Sequence, residues 1–364
     1  MTTQLASPRI DDDLTRRDPL IGGAAKRTRV LGALAGVLCT VLAGCASSPT
    51  TAPSPAAAAP SGTSAFPVTI THKFGNTTIS APPQRVVTVG DEDVAFALGI
   101  TPVGIVRNTS TDSGISPWLA SRIDRTKTAL IDVPPGAEGE GAAGVNIEQV
   151  AALKPDLILA VNDSGLEIDY PNLAKLAPTV GYATAWGKQS WQEQTMVGAR
   201  ALGLEERGRQ VVAETEAATR AVRDTNPGLV GRTVTYSFAF GPGQIVTLKS
   251  AQDPSVKLLQ ELGMQIPPSV RDLPDIAPDN PGGALSFENI SLLDADIIVM
   301  AYVTKELQNQ IENLELFKKL RAVRDGRYIV LDLPTISALR APTVLSIRWG
   351  LDQIKPSLTR AAGQ

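Results

Sequence analysis

The chain has 364 residues, 43% of them hydrophobic, and a formal net charge of −3. That length exceeds the usual single-domain core and predicts two lobes. So small a charge implies no basic face of the kind that nucleic acid requires.

Lys26, Arg27 and Arg29 precede an apolar run, VLGALAGVLCTVLAG, with the charged start and small-residue finish of an export signal. It is too short for a comfortable membrane span. The run ends in LAGC, which resembles the bacterial lipoprotein signal, in which cleavage leaves the cysteine as the new N-terminus, carrying lipid. Residues 1–44 are therefore read as the signal and Cys45 as the lipidation site; flanks this polar do not suit the alternative, a buried core cysteine. Cys39 is removed with the signal, so the mature chain has no disulfide, zinc knuckle or cysteine nucleophile. Residues 45–65 are rich in Pro, Ala, Ser and Thr and predict a disordered tether.

A first α/β lobe is expected over residues 66–188. PVTITHKFGNTTI alternates as a β-hairpin around Gly75 and Asn76, PPQRVVTVG is a short strand, and DEDVAFALGI is a helix opened by acids and closed at Gly99. TPVGIVRN is the next strand, followed by a Gly-rich loop over 132–144. VNIEQVAALKPDLILA then reads as a helix start, a Lys-Pro break and a buried strand, and YPNLAKLAPT and VGYAT complete the lobe. Residues 189–227 predict a helical connection, broken at Gly203, with a long second helix from about Glu205 to Asp224 ended by Asn226, Pro227 and Gly228. A second lobe, 228–364, repeats the order: strands RTVTYSFAF and GQIVTLKS, helix PSVKLLQELGM, a loop over 265–284, LSFENISLLDADIIVM, helix IENLELFKKLRAV and strand RYIVLD. The two phrases align without a gap, Glu148 on Glu288, Leu153 on Leu293, Asp156 on Asp296 and Ile158 on Ile298. The alternation predicts an α/β protein with two Rossmann-like lobes, small mainly parallel sheets, a long connecting helix and a ligand cleft between the lobes.

VTITHKFGNTTISAPPQRVVTVG, ALGITPVGIV, NIEQVAALKPDLILA, LAKLAPTV and WQEQTMVGARALG, in this order behind a lipoprotein signal, resemble the substrate-binding proteins of bacterial ABC importers. The similarity is to the helical-backbone group that carries iron-siderophores, haem and cobalamin, and within it to the iron-siderophore branch. The resemblance implies a lipid-anchored, extracytoplasmic, monomeric receptor that presents a ferric siderophore to a permease dimer, with ATP spent by a separate subunit and no catalytic residue or resident metal. It also implies one exposed acid per lobe that docks on permease arginines, matched here by Glu148 and Glu288. Asn146 and Ser286 before them are good N-caps, so helix capping explains the same positions.

Loops at the carboxyl ends of strands supply the candidate ligand residues: Arg107, Trp118, Asn162 and Trp186, with Asp91 beside them, from the first lobe, and Tyr236, Phe238, Tyr302 and Arg340 from the second. A siderophore already wraps its iron in oxygen, so arginines for anionic oxygens and aromatic faces are what the cleft needs. His72, the single histidine, sits in the first hairpin and reads as a surface residue, which disfavours histidine ligation of haem. A tyrosine, Tyr236 or Tyr302, would still permit haem, and a corrinoid is the further alternative. A rival envelope hydrolase would use Asp91 and Asp93, but acids opening a helix are explained by its dipole. A scaffold that has lost its ligand is the third reading.

Overall fold

The computed structural model describes residues 66–134, 144–277 and 280–363. All lie in one compact unit, Ser61–Gln364; the other unit, Met1–Pro60, falls outside the described residues, and with it Cys45, the signal and most of the tether. Residues 135–143 of the Gly-rich loop fall outside as well.

The chain opens with a hairpin, β1 (Val68–His72) and β2 (Gly75–Ile79), in which His72 faces Gly75. The turn is therefore Lys73 and Phe74, two residues before the expected Gly75 and Asn76. There follow β3 (Val86–Thr88), α1 (Glu92–Ala97), β4 (Gly104–Val106), a 3₁₀ turn at Pro117–Leu119, β5 (Ala129–Ile131), α2 (Ile147–Ala152), β6 (Leu157–Ala160), α3 (Leu166–Leu173) and β7 (Thr179–Gly181). The five strands after the hairpin form one parallel sheet in the order β5-β4-β3-β6-β7. Its strands are short and apolar, as strands covered on both faces must be. His72 is not on the surface. It is 5% exposed, Phe74 N–H donates to Nδ1 at 3.3 Å, and Nε2 lies 2.8 Å from Thr77 Oγ1, whose hydroxyl donates to Thr179 O. That arrangement suits a neutral ring, and burial lowers its pKa.

The connection is α4 (Trp191–Ala201) and α5 (Glu205–Thr225). Ser190 and Glu193 form a capping box at the start of α4. Gly203, at φ +69°, makes the left-handed break between the helices, and Asn226 ends α5 before a 3₁₀ turn at Pro227–Leu229. The predicted long helix is thus present within one residue of its expected end. Its buried stripe of Gly208, Val211, Thr215 and Thr219 recurs at intervals of three and four. Thr215 Oγ1 donates to Val344 O, fastening the helix to the C-terminal segment.

The second half contains β8 (Val234–Gly241), β9 (Gln244–Thr247), α6 (Pro254–Glu261), α7 (Pro268–Arg271), β10 (Asp275–Ala277), β11 (Asn280–Ser286), a 3₁₀ segment at Phe287–Leu293, β12 (Ile297–Tyr302), α8 (Lys305–Glu312), α9 (Glu315–Lys318), α10 (Arg321–Arg324), β13 (Tyr328–Leu331), α11 (Leu333–Arg340) and α12 (Ser346–Ala362). Its sheet runs β10-β11-β9-β8-β12-β13. Only β8-β12-β13 are parallel; β9, β10 and β11 pair antiparallel. The expectation of mainly parallel sheets thus holds for the first lobe and not the second, and the expected loop 265–284 instead forms α7, β10 and most of β11. Two residues, Pro242 and Gly243, separate β8 from β9, too few for a crossover, so β9 must return antiparallel. The single helix expected after β12 is three short ones.

The repeated phrase has one structural meaning in both sheets. Asp156 accepts from the N–H groups of Gln84 and Arg85, each at 2.8 Å, at the entry to β3. Asp296 accepts from Thr233 N–H at 2.9 Å and its hydroxyl at 2.8 Å, at the entry to β8. Each aspartate locks a central strand to its parallel neighbour, β6 or β12. One apolar core runs from β3 and β6 through α4 and α5 to β8, α6 and α12, so the connecting helices are packed into both halves.

Candidate functional site

The carboxyl ends of β3, β4 and β6 surround a hollow of about 250 Å³ lined by Gly90, Glu92, Arg107, Asn108, Asn162 and Asp163, among others. Gly90 has φ +86°, and a Cβ there would lie 2.7 Å from Asn162 O, so only glycine lets the two turns close on each other. Asn162 is held from both sides: its Nδ2 donates to Gly90 O and its carbonyl accepts from Trp186 Nε1, each at 3.3 Å. Arg107, Asn162 and Trp186 are thus brought together at one rim.

The acids opening α1 are not explained by a helix dipole. Asp91 makes no cap bond on α1; Oδ2 accepts from the N–H groups of Val161 at 2.5 Å and Asn162 at 3.3 Å. Asp93 takes Trp118 Nε1 at 2.8 Å and Thr343 Oγ1 at 2.6 Å. Burial drives all three carboxyls up, Asp91 to about 7, Glu92 to about 8 and Asp93 to about 6. Asp163 rises to about 7 for the same first reason. Trp118, expected in the cleft, lines a crevice with Leu333 and Pro334 and is also a half-buried latch between the lobes, its ring centroid 5.6 Å from that of Trp349 on α12.

The opposite wall departs further from expectation. Tyr236 and Phe238 are 2% and 4% exposed and belong to the core, because α6 and α12 cover that part of β8. The next residue of the same parity, Phe240, emerges at 63% exposure and stacks on Phe238 at 5.7 Å. Phe240 near the end of β8, Val303 just after β12 and Leu333, the first residue of α11 after β13, all lie at the carboxyl edge of this part of the sheet, and all three are exposed. Leu333 and Pro334 share a crevice with Asn108, Thr111, Pro117 and Trp118, so this edge meets the first lobe, and Asn108 lines both the crevice and the polar hollow. Tyr302 points away from a ligand role: its hydroxyl lies 2.6 Å from that of Tyr328, which donates to Glu312. A second groove of about 380 Å³ lies between Gly187–Gln192 and α6.

Both candidate arginines already have partners. Arg107 Nε is 2.8 Å from Asp132 Oδ1, and Gln149 of α2 donates to the same carboxylate. Gln149 and Arg107 hold the Asp132 carboxyl below its usual range. Arg340 lies 3.4 Å from Asp253, the N-cap of α6. Glu148 and Glu288 are both exposed, one per lobe. Asn146 caps α2 as expected, but Ser286 makes no cap bond and the segment after it is 3₁₀, so capping does not account for Glu288. Sequence reasoning missed Phe240, Glu92 and Asp163. Alternation along YSFAF could have pointed to Phe240 at the end of the covered stripe, and DED wedged between a strand and an apolar helix could have signalled buried acids.

Among the described residues no group of metal-ligating side chains is assembled and no helix is long and apolar enough to cross a membrane. The periplasmic binding protein family pattern matches residues 110–335. The Fe(3+)-citrate-binding protein YfmC of Bacillus subtilis (strain 168) is 27% identical over 273 residues, covering 73% of this chain and 78% of that one. The "Probable siderophore-binding lipoprotein YfiY" of the same organism is 28% identical over 275 residues, covering 71% and 78%. The solved structure of PiaA from Streptococcus pneumoniae TIGR4 in complex with ferrichrome aligns with a TM-score of 0.67 at 27% identity, covering 81% of this chain and 99% of that one. With its two α/β lobes, its packed helical connection and a match over most of its folded length, this chain belongs to the periplasmic binding protein family.

Proposed function

We propose that the chain is the extracytoplasmic receptor of an ABC importer that captures a ferric siderophore between its lobes and delivers it to a permease. The observation that carries this reading is the pairing of a polar hollow at the ends of β3, β4 and β6 with an exposed apolar edge at the ends of β8, β12 and β13, the two joined through Asn108. A chelate with polar oxygens and apolar flanks matches both surfaces, and the relatives named for ferric citrate, siderophore and ferrichrome support that ligand class. The helices of the connection, packed into both halves, favour small closure over a wide hinge. Cys45 is the proposed lipid anchor, supported by LAGC and by the lipoprotein named among the relatives. Glu148 and Glu288 are the proposed contacts to the permease, supported by their exposure at matched places in the two halves.

Haem ligation by tyrosine finds less support, since the Tyr236 hydroxyl is buried without a partner and that of Tyr302 is engaged by Tyr328. The decisive experiment is tryptophan fluorescence of the purified chain titrated with ferric chelates, haem and cobalamin, Trp186 being the reporter at the rim. Saturable quenching by a ferric chelate is expected. A Soret shift with haem and silence toward every chelate would overturn the siderophore reading.

A further inference from the structure

The second groove continues the cleft and is basic. Trp186 holds the rim of the polar hollow through Asn162 O, and the chain that follows it, Gly187–Gln192, forms one wall of the groove. α6 of the second lobe forms the other wall, and the space between them is about 380 Å³. That lies within the range of about 300–1,000 Å³ that small-ligand sites occupy. Each wall contributes one lysine, Lys188 and Lys257, and both are exposed. Among the described residues neither ammonium takes part in an ion pair or a hydrogen bond, whereas Arg107 and Arg340 are held by Asp132 and Asp253. Gln189 adds a neutral donor: its side-chain oxygen accepts from Ala183 N–H at 2.7 Å, which leaves its amino group for a guest. Glu261 is the one acid among the described lining residues, and burial, then Glu216, raise its pKa against the pull of Arg220. Two cations facing one acid leave the groove net positive. The amides that open α6 add nothing to this, because Asp253 already accepts from Ser255 and Val256 N–H.

We infer that the guest is a ferric chelate with pendant carboxylates, and that a carboxylate arm runs past Trp186 into this groove to meet Lys188 and Lys257. This rests on the siderophore reading and narrows it to anionic chelates. One lysine stands on each wall, so a carboxylate shared between them also ties the stretch before α4 to the second lobe, and the flexible stems let both ammonium groups follow the arm. The test is an equilibrium titration of the chain with two probes: a ferric trihydroxamate bearing two pendant carboxylates, and the same chelate with both converted to methyl amides. The carboxylate form should bind about fivefold more tightly, since each exposed charge contact sustains about two- to threefold. The ratio should fall toward one in about 1 M salt, which screens exposed charges. Lys188→Gln combined with Lys257→Gln should remove the ratio in the same way, and both positions are exposed, so the variant keeps its fold. Equal binding of the two probes, or a preference that survives salt or the double substitution, overturns the inference and leaves the siderophore reading intact. Capture of haem or cobalamin with no response to either ferric chelate overturns both.

Discussion

Replacing Trp118 by phenylalanine tests how the lobes are latched. The change keeps an aromatic ring against Trp349 and removes the indole N–H, which lies 2.8 and 3.1 Å from the two oxygens of Asp93. Thr343 is then the one remaining side-chain donor to a carboxyl that is 5% exposed. A hydrogen bond to a charged group contributes about 1.5–3 kcal/mol and a neutral one about 0.5–1.5 kcal/mol. Burial raises Asp93 to about 6, so the group is mostly ionised at pH 8 and protonated at pH 5. A carboxyl raised in the folded state favours the fold below its unfolded pKa, and that benefit is lost as pH climbs through the folded value. Losing the indole donor raises Asp93 further and extends the loss. The variant should therefore be destabilised by about 1 kcal/mol more at pH 8 than at pH 5, the difference between the charged and the neutral bond. Asp91, Glu92 and Asp163 titrate in both proteins and cancel in the comparison. Urea unfolding at the two pH values, read as midpoints at unchanged slope, measures it. An equal loss at both pH values would mean that only ring packing was changed and that the indole does not hold the carboxylate.

Glu148→Ala together with Glu288→Ala should leave stability within about 0.5 kcal/mol, as for other exposed positions, and leave chelate affinity unchanged while uptake into cells falls; normal uptake would remove the docking role. Phe240→Ala should weaken chelate binding about tenfold, the equivalent of one aromatic contact. Tyr236→Phe should leave binding alone and raise thermal stability, since it deletes a buried hydroxyl that has no partner. Loss of binding in the tyrosine variant, with Phe240→Ala silent, would return the ligand surface to the residues that the structure places in the core.

Period and turn chemistry made much of the fold legible before any coordinates. The helix from Glu205, its end at Asn226, the strand after Asp156 and the repeat at Asp296 all follow from local patterns, because capping, breaking and amphipathic spacing act within a few residues. What the residue order left open was which covered face stops where. Tyr236, Phe238 and Phe240 share one parity of β8, and only the placement of α6 and α12 buries the first two and leaves the third at the rim. The pairing of β9 with β11 was hidden for a similar reason, since these partners lie far apart in the chain.

Charge was the least readable property of all. Arg107 and Arg340 looked free to meet an anion until the fold supplied Asp132 and Asp253 as partners. The acids of DED read as helix-dipole residues until Trp118 and Thr343, the latter 250 positions away, closed over Asp93. Composition and spacing determined that this chain has two α/β lobes with a helical bridge. Tertiary structure alone decided which groups the cleft still has to offer, because an ion pair or a buried carboxyl is set by neighbours in space and not by neighbours in sequence.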